Sequence, residues 1–148
     1  MYAFLAAIMT IAYCDLDHDL SKFREGDVDF VGLIDVDWHA KRSGGIAQAE
    51  MLAEKYGYVA SFTADHFVHE TPDEQHGVAI LSHEVPRSRI IRTLPSTGKG
   101  KVILVCEFTD CYIGVSELLS GPSVIVGEDD QGRILGLTSE MCEGGGKK

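Results

Sequence analysis

The spacing of apolar residues changes along this chain, and the change predicts where helices give way to strands. The opening stretch MYAFLAAIMTIAYC carries no charged side chain before Asp15 and reads as a buried strand. From Asp15 to Glu25 the apolar positions Leu16, Leu20 and Phe23 fall at i, i+4 and i+7, which predicts a helix stopped by Gly26. Phe30-Val31-Gly32-Leu33-Ile34 is almost continuously apolar, as a strand covered on both faces should be, and it ends in Asp35-Val36-Asp37. A second helix is predicted from a Ser43 cap, with Ile46, Ala49, Ala53 and Tyr56 along one stripe and Gly57 closing it.

Downstream the pattern shortens to strands. Tyr58 to Thr63, His76 to Ser82 and Arg89 to Leu94 are three of them. Lys101 to Phe108 and Cys111 to Val115 flank Thr109-Asp110, a two-residue hairpin signal. Val124-Ile125-Val126 is the last apolar strand, followed by Gly127-Glu128-Asp129-Asp130. Helices confined to the first third and many short strands predict an α+β sandwich or mixed sheet, not a Rossmann alternation. Residues 1–142 read as one domain, and 143–148, EGGGKK, as a flexible tail.

Composition narrows the function. The 148 residues are 45% hydrophobic, enough for a sizeable core. The net charge of −10 leaves no broad basic surface for a polyanion, which excludes non-specific coating of DNA or RNA. A small phosphorylated substrate, held by a metal among carboxylates, is compatible with it. Cys14, Cys106, Cys111 and Cys142 show no C-x-x-C spacing and read as buried reduced thiols. The N-terminal stretch lacks a basic n-region and is too short to span a bilayer. A soluble protein is expected, cytoplasmic rather than secreted, with a trimmed signal remnant as the alternative.

Two acid clusters follow apolar strands: Asp35 with Asp37, and Glu128 with Asp129 and Asp130. Hard oxygen donors converging on one sheet edge would suit Mg²⁺ or Mn²⁺. The alternative is that they are solvated turn formers. The histidines His66, His69, His76 and His83 lack the helical H-E-x-x-H spacing, and the stretch from Asp65 to Gln75, with Pro72, reads as a surface loop. There is no G-x-S-x-G elbow and no phosphate-binding loop. Gly98-Lys99-Gly100-Lys101 reads as a plain connection between strands.

Several stretches, in order, resemble the endonuclease/exonuclease/phosphatase superfamily, which has the deoxyribonuclease-I-like fold. Val28 to Asp37 looks like its "pDivgLQEvd" strand, Arg42-Ser43-Gly44-Gly45 to Tyr58 like its following helix, and His76-Gly77-Val78-Ala79-Ile80-Leu81-Ser82 like "yGiaiLS". Leu94-Pro95, Val102 to Phe108, and Ser123 to Asp130 resemble later strands, so the likeness runs from about Met9 to Asp130. The resemblance implies two packed mixed β-sheets flanked by helices, shortened at the C-terminus. It implies Mg²⁺- or Mn²⁺-dependent hydrolysis of a phosphoester. It assigns metal binding to Asp35 and Glu128, catalysis to Glu117 and Asp130, and substrate contact to Ser116 and His76.

The chain departs from that pattern in defined places. The family's strand-one Asn falls on Ala12, its Thr-His pair on Ser116-Glu117, and its final Asp-His pair has no counterpart. Only Leu118 to Pro122 stands where the family has a helix. The alternative to a hydrolase is therefore a catalytically degenerate scaffold that binds a cation or a protein partner, including a second copy through an unpaired sheet edge.

Overall fold

Strand β2 (Phe30–Trp38) is the structural centre of the chain because its apolar run is buried from both sides. In the computed structural model, residues 9–95, 100–117, 124–128 and 134–138 are described. β1 (Ile11–Asp15) lies parallel to β2 on one side, and β4 (Gln75–Ser82) lies antiparallel on the other. β3 (Val59–Phe67) pairs antiparallel with β4, completing a four-stranded mixed sheet in the order β1-β2-β4-β3. The helix α1 (Gln48–Tyr56) connects β2 to β3. β5 (Ser88–Leu94), β6 (Lys101–Glu107) and β7 (Tyr112–Ser116) form a three-stranded antiparallel sheet. Phe108 N–H donates to Cys111 O at 2.8 Å across the predicted Thr109-Asp110 turn.

Two cores occupy opposite faces of the four-stranded sheet. Val31, Leu33, Ala79 and Leu81 pack against Ala49, Leu52 and Ala53 of α1, with Leu16 and Phe23 closing the cluster. Phe30, Ile34, Val78 and Ile80 face the other way and pack against Val102, Leu104, Cys106, Ile113 and Val115 of the three-stranded sheet. The alternation of odd and even residues along β2 and β4 makes this possible. The chain is thus mixed α+β, mostly β, with two sheets and one α-helix among the described residues.

Residues within Met1–Glu117 form one compact unit and those within Leu118–Lys148 a second. In the second, β8 (Val124–Glu128) pairs antiparallel with β9 (Ile134–Thr138), a strand not anticipated from the sequence. The EGGGKK tail and Cys142 lie outside the described residues, as do residues 96–99 of the predicted connection. Among the described cysteines, Cys14, Cys106 and Cys111 are free thiols. No helix among the described residues is long and apolar enough to cross a membrane.

Four expectations are corrected. The helix from Asp15 to Glu25 is replaced by a single 3-10 turn at Leu20–Lys22. Asp15 Oδ1 and Asp19 Oδ1 each accept the backbone N–H two residues on, at 2.9 Å, and Asp17 and His18 adopt positive φ. Such local side-chain bonds compete with helix hydrogen bonds. β1 is an edge strand and not a buried one: Ile11 and Tyr13 are exposed. Ser43 ends a 3-10 turn and donates to Ala40 O, while α1 begins at Gln48 after Ala47. Gly57 does close α1, in the left-handed conformation that favours glycine. Finally, the predicted loop from Asp65 to Gln75 is shorter than expected, because β3 continues through Phe67.

Candidate functional site

Two interruptions of strand pairing, on either side of β4, build one polar cluster. On β2 the register shifts between Leu33, opposite Ala79, and Val36, opposite Gly77. On β3 it shifts between Ala64, opposite Gly77, and His66, opposite His76. Each shift inserts a residue that re-aims its neighbours. The first releases Asp35, which takes φ 51°, and lets Val36 return to the face of Val31 and Leu33. The second inserts Asp65, so that consecutive residues Asp65 and His66 both reach the same neighbour. The β4 backbone between the two interruptions has no room for a side chain: a Cβ on Gly77 would lie 1.9 Å from Thr63 O.

His76 is that neighbour, and it is almost fully buried. Its Nδ1 lies 3.0 Å from Asp65 Oδ1 and its Nε2 lies 2.9 Å from Asp35 Oδ1. His66 Nδ1 contacts the same Asp65 oxygen. Burial pushes against a charge on His76, but the hydrogen bond and the charge of Asp65, with the bond to Asp35, outweigh it and raise its pKa above the ordinary imidazole value. The mirror effect holds for Asp65. Its own burial would raise its pKa, yet the bond to His76 and the charges of His76 and His66 hold it below the usual carboxylate range. Oδ2 of Asp65 is buried without a hydrogen-bond partner.

Around this centre the acids outnumber the fixed cations. Asp35, His76 and Glu117 place ligand atoms within 4.8 Å of one another, as do His18, Asp37 and His76. Glu117 Oε1 accepts from Lys101 Nζ at 2.6 Å, and its Oε2 is buried and unpartnered. Asp37 is fully buried and receives Arg42 through two bonds of 2.8 and 2.6 Å. These bonds and the His18 charge overcome the burial of Asp37 and lower its pKa. His18 Nδ1 lies 3.2 Å from Asp37 Oδ1, close enough for charge attraction but not aligned for a hydrogen bond. Gln48, buried at the start of α1, accepts from Asp37 N–H and donates to His18 O, both at 2.8 Å.

Asp15 adds a further carboxyl. Partial burial first, and then the Asp35 charge and a hydrogen bond to Asp35, raise its pKa. The hard oxygens of such a carboxyl pair fit Mg²⁺ or Mn²⁺. His76 Nε2, engaged with Asp35, is better suited to orient that carboxylate than to bind such an ion.

The sequence-predicted residues are distributed as follows. Asp35, His76 and Glu117 come together. Ser116 lies next to Glu117 at the end of β7, but its Oγ donates to Val102 O at 2.8 Å and so ties β7 to β6. Glu128 ends β8 in the second unit, and Asp130 lies outside the described residues. Sequence reasoning missed Asp15, His18 and Asp65, and it set His66 aside as a surface-loop residue. Asp15 carried a usable signal, because it ends an apolar strand just as Asp35 follows one. Comparison with known protein families, with curated proteins and with solved structures returns no match.

Proposed function

We propose that this chain is a divalent-cation-dependent phosphoester hydrolase acting on a small phosphorylated substrate. The observation that carries the reading is the convergence of Asp35 and Glu117 on His76, with Asp15 against Asp35. Its support from sequence is the resemblance of β2, α1 and β4 to the endonuclease/exonuclease/phosphatase superfamily, whose deoxyribonuclease-I-like sandwich would place sheets in this manner. Asp15 and Asp35 would hold the Mg²⁺ or Mn²⁺. When bound, such an ion polarises a phosphoryl oxygen and steadies the leaving oxygen. Asp65 fixes the ring of His76, and His76 Nε2–H in turn orients the Asp35 carboxylate. Glu117 Oε2, unpartnered and steadied through Oε1 by Lys101, accepts the proton of the attacking water.

The test is release of p-nitrophenol from bis(p-nitrophenyl) phosphate with Mn²⁺ or Mg²⁺. Turnover should require the ion and be abolished by Asp35→Ala. Glu117→Gln should lower kcat by about 10²-fold or more with a smaller effect on KM. Activity that persists in a chelator, or in Asp35→Ala, would sink the reading.

A second reading has its own observation: among the described residues Arg42 is bonded to Asp37 and Lys101 to Glu117, so each of these cations is already neutralised. A scaffold that binds a divalent cation without turnover would show a rise in Tm with Mg²⁺ and no nitrophenol release.

A further inference from the structure

We propose that Asp65, His66 and His76 form a second metal centre, selective for a zinc-class ion and separate from the carboxylate pair of Asp15 and Asp35. The three side chains place ligand atoms within 4.8 Å of one another. His76 Nδ1 lies 3.0 Å from Asp65 Oδ1, and His66 Nδ1 contacts that same oxygen. Two ligands bound about 2.1 Å from a tetrahedral ion stand roughly 3.4 Å apart, a separation within the 4.8 Å that encloses the three ligand atoms.

The hydrogen bonding of the cluster without an ion is lopsided. Two imidazole nitrogens crowd Oδ1 of Asp65, while Oδ2 of the same carboxylate, on a side chain only 1% exposed, has no partner. Unsatisfied buried oxygens of this kind are uncommon and costly. An ion among the three residues exchanges the two Nδ1 protons for lone-pair donation and uses the carboxylate fully.

The donor set decides the metal. Two imidazoles and one carboxylate match zinc with an open fourth position, whereas Mg²⁺ prefers oxygen alone. The second shell is also in place. With Nδ1 turned to the ion, His76 Nε2–H donates to Asp35 Oδ1 at 2.9 Å, the carboxylate–histidine–metal arrangement that fixes tautomer and ring. The interruption of β3 is what delivers the ligands. In an unbroken strand Asp65 and His66 would point to opposite faces; the register shift between Ala64 and His66 brings both to His76.

The centre does not depend on the phosphoester reading, and the experiment keeps the two apart. The 148-residue chain, stripped with a chelator, is titrated with Zn²⁺ alone, in competition with a chromogenic chelator, and with Co²⁺ followed by its visible absorption. One equivalent of Zn²⁺ should bind, and Co²⁺ should show a tetrahedral-type spectrum. His66→Gln and Asp65→Asn should each weaken Zn²⁺ binding by at least about 10- to 100-fold. Asp15→Asn should leave Zn²⁺ affinity unchanged while removing the response to Mg²⁺. His66 is partly exposed, so His66→Gln folds even if Asp65→Asn does not, and circular dichroism verifies this. Absence of Zn²⁺ binding by the wild type, or equal binding by His66→Gln, overturns the proposal. A protein that binds Zn²⁺ at this centre but hydrolyses nothing refutes only the hydrolase.

Discussion

At the scale of single residues, the buried Asp65–His76 pair makes stability depend on pH in a defined window. The pKa of Asp65 is lowered on folding, so its contribution is complete above the ordinary carboxylate value and is lost as pH falls through its folded value. The pKa of His76 is raised on folding, so its contribution is complete below the ordinary imidazole value and is lost as pH rises through its folded value. Both contributions are in full force roughly between pH 4 and 6.5. Thermal unfolding in the presence of a chelator should therefore show its largest difference between wild type and Asp65→Asn in that window. Removing one partner of so buried a pair should cost about 3 kcal/mol there. A difference that stays flat from acid to alkaline pH would contradict this account.

At the scale of elements, β2, β4 to β8 and the end of α1 were legible in the sequence, whereas β9, the start of α1 and part of the site were not. The run from Phe30 to Ile34 announced a strand buried on both faces, and the packing of Phe30 and Ile34 on one side and Val31 and Leu33 on the other is the reason. Gly57 announced the end of α1 because a left-handed residue is needed there. The segment after β1 misled: Leu16 and Phe23 are buried as a helical stripe would be, but aspartates at 15 and 19 satisfy the backbone locally and no helix forms. Asp65 and His66 were invisible as a pair because the strand was expected to end at Thr63 and the stretch after it to be a loop, whereas β3 runs on to Phe67. Their meeting depends on a register shift that no residue type announces.

Two substitutions test the element-level packing. Gly77→Ala forces a methyl group against the Thr63 carbonyl, where backbone and not a pliable side chain stands in the way. It should lower stability by about 3 kcal/mol or prevent folding, read by urea unfolding. Ile80 is fully buried between the sheets, and Ile80→Ala should cost about 2–5 kcal/mol by the same measurement. Losses near zero at both positions would mean that β4 is not the central, doubly packed strand described.

At the scale of the whole molecule, both hydrophobic cores fall between Leu16 and Val115. Every side chain of the candidate site for which contacts are known also lies before Leu118. A fragment ending at Glu117, the boundary of the first unit, should therefore fold with a single cooperative transition. The only tryptophan, Trp38 at the end of β2, supplies the fluorescence signal. A broad, non-cooperative transition in this fragment, against a sharp one in the full chain, would show that the second unit completes the first core.

The paired interruptions of β2 and β3 also make chain length a part of the chemistry. Both occur against the same stretch of β4, next to Gly77. Deleting one residue at either place would let the strand zip up regularly, with better hydrogen bonding and more conventional geometry. Val36, Asp37 and His66 would keep their places opposite β4, but the carboxylate that the extra residue allows, Asp35 or Asp65, would lose its place in the cluster. The site is thus more vulnerable to a single-codon deletion than to most single substitutions, and related chains should vary in residue type along these strands well before they vary in spacing.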